Sequence, residues 1–247
     1  MRFKIIDVHA HFGRWFFPIH SDSIDDIRML MERNGIEYCA LSSSLAVTYD
    51  LVEGNAELAR AIEGMVMFLG YVVINPNYPE ISRQEIDKYL GRGGFVGVKM
   101  HPGYTGRPLS DPRNISLLEY AWKKFEKPAL LHTWGSCGVD QVKKVATELP
   151  EMPIILGHMG GSFDWPAAAR LAKEQRNVYL EPCGSILPPE RIREAVEIAG
   201  ERKVLFGSDL TLINPAFVLG NILASGLSEA ELERVLYWNA KELFRLP

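Results

Sequence analysis

The strongest constraint on the fold is an alternation that runs the length of the chain. Short apolar, β-branched runs take turns with segments of helical period. Such a pattern favours parallel strands joined through helices, the α/β class. The apolar runs predict strands over 4–8, 37–41, 67–73, 95–100, 129–131, 153–156, 178–180 and 204–206. The helical period predicts helices over 24–34, 51–63, 81–90, 115–125, 139–148, 165–174, 190–199 and 215–224. Eight of each, in 247 residues, predict a (β/α)₈ TIM barrel. An open, doubly wound sheet is the other arrangement this alternation allows.

No low-complexity linker divides the chain, so residues 1–247 are expected to form a single domain with an additional C-terminal helix. That last helix starts at Ser228, where Ser228 and Glu231 form a capping box, and runs to about Arg245. Ser23 with Asp26 is a second capping pair, and Pro79, Pro166, Pro189 and Pro215 sit where a first helical turn tolerates proline.

Composition narrows the classes of partner. A hydrophobic fraction of 47% and a charged fraction of 23% are those of a soluble globular protein. The net charge of −4 leaves no basic footprint for nucleic acid. No run approaches the ~20 apolar residues of a membrane span, and the apolar stretch in MRFKIIDVHAHF is too short for a signal peptide. Cys39, Cys137 and Cys183 are odd in number, far apart and outside any CxxC pattern, so neither disulfides nor a thiolate metal site are expected. A reducing, cytoplasmic setting is the expectation.

Five of the six histidines fall at the ends of predicted strands: His9, His11, His101, His132 and His158. Random placement would put about half a histidine at such positions, where barrel enzymes build their sites. In IIDVHAHFG, His9 and His11 are two apart on a strand and leave the same face. Adjacent neutral imidazoles suit a divalent metal, and Asp7 on that face would orient an imidazole N–H. The alternative is a half-buried strand whose polar face is satisfied by neighbours. His132 closes PALLHTW and His158 closes PIILGHMGG, where Gly157, Gly160 and Gly161 let backbone approach closely. Singly, each histidine would more simply be structural. Asp209 follows the eighth run in VLFGSDL, where a turn or helix cap is the plain reading. On a closing strand it would lie beside the histidines of the first. Lys99 and His101 share a face in VGVKMHPGY. Lys99 either enters the lumen, paired with a carboxylate or carbamylated, or snorkels outward.

Two loops would rim the mouth. FGRWFFPIH places Arg14 among Phe12, Trp15, Phe16 and Phe17, and PGYTGRPLS adds Tyr104 and Arg107. Arginine with aromatic walls suits a planar molecule bearing a carboxylate. Alternatively, these aromatics pack a lid or a homodimer contact, with both arginines solvated.

DxHxH, KxHP, LLHxW, GHMGG and GSD, in this order, resemble the amidohydrolase superfamily, and more narrowly its amidohydrolase-related group of hydrolases, lactonases and decarboxylases. NAKELFRL, Asn239 to Leu246, is similar to the helix that closes many members. The resemblance implies a TIM barrel in which His9, His11, His132 and Asp209 bind a divalent metal, most simply one Zn²⁺. A second ion is expected only with a carbamylated Lys99. His158 would act as an acid, base or electrostatic group, while the fourth-strand pair of Lys99 and His101 varies among members. TatD-type nucleases share HxH but carry a glutamate near the fourth strand, which VGVKMHP lacks.

Zinc lowers the pKa of bound water from about 15.7 to about 7. The first expectation is therefore a hydrolase that cleaves an amide, lactone or related acyl bond of a small molecule, with Asp209 carrying the proton and His158 stabilising the oxyanion. The same residues suit a non-oxidative decarboxylase of an aromatic or unsaturated acid. A non-catalytic metal- or ligand-binding barrel is the third reading.

Overall fold

The computed structural model describes residues 3–20, 22–134, 138–185 and 187–247; Cys137 lies outside them, and Cys39 and Cys183 are free thiols. Seven strands form one parallel sheet in sequence order: β1 (Ile5–Phe12), β2 (Ile36–Ser43), β3 (Phe68–Val73), β4 (Phe95–Met100), β5 (Ala129–His132), β6 (Ile154–Gly157) and β7 (Val178–Glu181). β1 runs four residues beyond the apolar stretch that announces it, so His9 and His11 belong to the strand itself.

The predicted eighth strand is the main departure. The segment from Val204 to Leu210 makes only two isolated bridges, Leu180 to Val204 and Ala10 to Leu210, both parallel. It still hydrogen-bonds both edges of the sheet: Leu205 N donates to Leu180 O at 2.9 Å, and Val8 N to Phe206 O at 2.9 Å. A regular ladder fails for local reasons. Phe206 N turns away to Val235 O, and Asp209 adopts a left-handed backbone with φ 58°. The sheet therefore curls and is bridged shut, with seven strands among the described residues rather than eight.

Helices follow the strands as the periodicity predicts, and their ends show why they start and stop. Ser23 Oγ accepts from Asp26 N before the helix Ile24–Asn34, which Gly35 terminates at φ 68°, a conformation glycine adopts without strain. The capping box of Ser228 and Glu231 is present, and the chain from Glu229 to Phe244 is helical throughout, with one π turn at Arg234–Trp238. Pro79, Pro189 and Pro215 open their helices. Pro166 does not, because its helix already begins at Gly161. An internal proline leaves the carbonyl four residues earlier without its N–H. That carbonyl is Ser162 O, and Arg191 Nη1 takes it at 3.0 Å.

Two hydrophobic clusters follow from the curl. The larger lies between the sheet and its helices. The smaller gathers Ile6 and Val8 of β1, Ala40, Leu69, Tyr71, Val96, Leu130 and Ile155 of β2 to β6, and Leu205. Only the concave face can bring so many strands together. Tyr237, Ala240 and Phe244 of the last helical segment complete that cluster.

Gly97 sets the approach of β4 to its neighbours. A Cβ there would lie 2.5 Å from Pro128 O and 3.0 Å from the Tyr71 ring. Backbone cannot yield as a flexible side chain does, so Gly97→Ala is expected to destabilise by ~1–3 kcal/mol. A urea midpoint equal to that of the parent would show that the strand has room to spare.

Candidate functional site

The C-terminal strand ends bring the predicted residues together. His9 is fully buried, with Nδ1 2.7 Å from Glu181 Oε2 and Nε2 2.8 Å from Lys99 Nζ. His11 Nδ1 meets Ser42 Oγ at 3.2 Å, and its Nε2 lies 3.2 Å from Asp209 Oδ1. Asp209 Oδ1 is also 3.7 Å from His9 Nε2. His9, His11 and Asp209 thus form a buried group whose ligand atoms lie within 4.8 Å of one another. Gly157 at the end of β6 keeps this crowding feasible, since a Cβ there would come within 3.1 Å of His9 Cε1.

His132 stands apart from that group. Its ring stacks on His101 at 3.7 Å between centroids, 21° from parallel, and meets the His158 ring at 4.6 Å. His158 follows β6 in a left-handed conformation, φ 68°, with Nδ1 3.1 Å from Cys183 Sγ and 3.3 Å from Cys183 O. His9, His158, Glu181 and Cys183 make a second buried group of ligand-type atoms. Lys99 points into the structure, fully buried against His9.

Asp7 does something other than orient an imidazole. Its carboxylate accepts from His9 N at 3.1 Å, from Ser208 N at 3.0 Å and from the Ser208 hydroxyl. The β1–β2 register shifts between Asp7 and Ala10, which turns Asp7 toward backbone. The partners of the imidazole N–H positions are instead Glu181 and Ser42, neither of which the sequence reading singled out. A signal for Glu181 existed: it ends the apolar run VYLE, and the sheet register aligns it with Gly157, which is itself aligned with His132.

A cavity of about 450 Å³ opens over these groups. Its walls are Trp15, Phe17, Tyr104 and Trp134, and its polar lining includes His11, His101, His132, His158 and Asp209. Arg14 and Arg107 are not among the lining residues described. Arg14 is exposed and paired with Asp22 at 3.3 Å, and Arg107 bonds Asn77 and pairs with Asp111 at 3.3 Å. A larger cavity of about 660 Å³ lies at the other strand ends, near Pro128, Pro153 and Lys203, and holds none of the histidines.

Burial keeps the imidazoles neutral. It lowers His9, His11, His132 and His158 below the ordinary histidine value, and His101 to about 2, with the Lys99 charge adding to the effect at each. Burial also lowers Lys99 to about 8 and raises Asp7 to about 7. For Asp209, burial works against ionisation, but His11, His158 and His9 outweigh it and hold the carboxyl well below the usual carboxylate range.

Histidines and carboxylates converging at the C-terminal ends of a curled parallel sheet define an α/β enzyme of the barrel type. Over residues 6–246 the chain matches the amidohydrolase family model, and it belongs to that family. A curated relative, the gamma-resorcylate decarboxylase of Polaromonas sp., is 22% identical, with 90% of this chain and 88% of that one covered. The crystal structure of 2,6-dihydroxybenzoate decarboxylase from Rhizobium superposes with a TM-score of 0.78 at 18% identity, covering 99% of each chain. A dihydroxybenzoic acid decarboxylase from Polaromonas sp., solved with bound manganese and the inhibitor 2-nitroresorcinol, gives 0.79 at 18% identity, covering 99% of this chain and 97% of that one. Among the described residues, no helix is long and apolar enough to cross a membrane.

The imidazoles set a pH dependence. The unfolded chain protonates them near pH ~6.5, whereas the folded chain resists, so below that pH the unfolded state binds more protons. Stability is thus lost as pH falls from about 6.5 toward the value near 2 at which His101 titrates. Asp7 and Glu181, raised by burial, take up protons in the folded state and offset part of the loss. Metal-free protein is expected to unfold at lower urea at pH 5 than at pH 7.5. A midpoint that rises on acidification would mean that the imidazoles do not govern stability over this range, with proton uptake by Asp7 and Glu181 outweighing them.

Proposed function

We propose that this protein is a metal-dependent, non-oxidative decarboxylase of a small, planar aromatic acid. The observation that carries the proposal is a cavity with aromatic walls over a group of imidazoles and one carboxylate, in a chain similar over nearly its whole length to decarboxylases. Hydrolysis is the first expectation from the sequence; the named relatives favour loss of CO₂ instead.

The donor chemistry fits a divalent cation. His9 and His11 are neutral, so their ring nitrogens have lone pairs to offer, and Asp209 is anionic. Asp209 Oδ1 is buried without a hydrogen bond of good geometry, which an ion between it and the two imidazoles would remedy. His9, His11 and Asp209 would hold the ion, with His132 as a further donor at the cavity wall. Imidazole and carboxylate suit either zinc or manganese, and manganese is the ion bound in the Polaromonas relative. Once bound, the ion supplies a Lewis acid that orients and polarises the substrate's oxygens.

The protein's own residues do the rest. Trp15, Phe17, Tyr104 and Trp134 sandwich a flat ring and exclude water. Because Arg14 and Arg107 are paired with aspartates elsewhere, the carboxylate is met by the metal-binding group rather than by an arginine clamp. Decarboxylation breaks the bond between ring carbon and carboxylate, leaves its electron pair on the ring carbon and places a proton there. Asp209, ionised in the resting site, takes a proton from water by way of His158, which lines the same cavity, and passes it to the ring carbon. The hydroxide left from that water combines with CO₂ as bicarbonate. Lys99 and His101 act less directly. Lys99 bears on His9, and His101 supports the His132 ring.

Purified protein loaded with Mn²⁺ or Zn²⁺ is expected to release CO₂ from dihydroxybenzoates and to lose that activity on chelation. Turnover of amides or lactones without any CO₂ release would return the assignment to a hydrolase. Asp209→Asn is expected to lower kcat ~10²–10⁴-fold, the usual span for a general acid or base. A near-normal kcat in that variant with metal bound would show that the proton travels by another group.

A further inference from the structure

Glu181 ends β7 with its side chain fully buried, and its side-chain hydrogen bonds lead to His9, His158 and Cys183. Cys183 N donates to Oε1 at 2.6 Å, and His158 N donates to Oε2 at 3.3 Å. The Cys183 thiol donates to Oε2 at 3.0 Å, and His9 Nδ1 lies 2.7 Å from that same oxygen. A backbone N–H can only donate, so both carboxylate oxygens are acceptors here. At the far side of the His9 ring, Nε2 faces Lys99 Nζ at 2.8 Å. An ammonium has no lone pair, so Nε2 is the acceptor there. Both sides of the ring agree: Nδ1 carries the proton and Nε2 the lone pair.

We infer that Glu181 is a positioning residue for this site. It holds His9 in the Nδ1–H tautomer with the Nε2 lone pair on the side that faces Lys99 at 2.8 Å and Asp209 at 3.7 Å, and it pins His158 in its left-handed backbone pose. The chain makes room for it at Gly207, where a Cβ would fall 2.6 Å from Glu181 Cγ and Cδ. His11 has only the neutral Ser42 hydroxyl in the equivalent place, so Glu181 is the charged partner of the β1 pair. A carboxylate behind a metal-binding imidazole fixes its orientation and raises its basicity, and removing such a partner typically weakens metal binding 10–100-fold. The consequence for affinity rests on the proposed role of His9 as a ligand; the tautomer does not. The neighbouring group of His9, His158, Glu181 and Cys183 is better read as this hydrogen-bonded support than as a second ion site, because its donors and acceptors already satisfy one another.

Nitrogen NMR of ¹⁵N-histidine-labelled, metal-free wild-type protein tests the tautomer directly, with protonated Nδ1 and bare Nε2 expected for His9. Chelator competition with Mn²⁺ tests the consequence. Glu181→Ala should weaken binding by about 10- to 100-fold, and Glu181→Gln by about 10-fold with a mixed His9 tautomer, since its amide can accept through only one atom. Gly207→Ala, which displaces the carboxylate without altering it, should fall between the parent and Glu181→Ala. A bare Nδ1 in wild-type His9 overturns the inference, and so do folded Glu181→Gln and Gly207→Ala proteins that bind Mn²⁺ as tightly as the parent. A thiolate-to-metal absorption band in Co²⁺-loaded protein would place the ion among Cys183 and its neighbours and overturn it as well. Wild-type protein that binds no Mn²⁺ sinks the proposed function, while the metal-free nitrogen spectrum still decides what Glu181 does to His9.

Discussion

The clasp between Asp7 and Ser208 is the interaction on which the rest depends. A carboxylate buried in β1 accepts from His9 N and from both the backbone and the hydroxyl of Ser208. Burial raises the Asp7 carboxyl, and the bonds from Ser208 and His9 counter that penalty. The clasp ties the Val204–Leu210 segment to β1 where a regular ladder is missing, and it carries Asp209 N to His9 O at 2.8 Å. Closing the sheet and assembling the site are therefore the same event. Asp209 reaches His9 and His11 because the segment that bears it is held against the strand that bears them.

That closure creates a dry, crowded layer whose electrostatics favour a cation. Five imidazoles lie in a chain of ring contacts, from His11 through His9, His158 and His132 to His101, at 3.7 to 5.5 Å between neighbouring centroids. Protonating any one would place a charge among like neighbours and beside Lys99 in a low dielectric, so all remain neutral. Each neutral ring keeps one lone pair beside its one N–H, and Asp209 stays ionised among them. The aromatic residues above this layer come from loops, whose freedom to vary is how one barrel scaffold serves many substrates.

Particular residues show how far the sequence could be read. His9, His11, His101, His132, His158 and Asp209 all reach one region, since a residue at a strand end goes wherever the strand ends go. Pro166 misled, because the carbonyl it leaves bare, Ser162 O, is answered by Arg191, 29 residues onward. Asp7 misled as well: strict alternation puts it on the imidazole face, and the register shift before Ala10 turns it to backbone. Arg14 and Arg107 sit in the loops where they were expected, where they pair with Asp22 and Asp111 and are not among the residues that line the cavity.

The sequence by itself determined the order of strands and helices, the helix caps and the placing of histidines at strand ends. Each of these is set by periodicity or by neighbours within a few residues. The tertiary structure alone decided the rest. It made the closing segment a bridged clasp instead of an eighth strand, stacked His132 on His101, and brought Glu181 behind His9 from 172 residues away. Those outcomes depend on sheet register, side-chain direction and the space left by Gly157 and Gly207. No local window contains that information, because the atoms that compete for each position come from strands far apart in the chain.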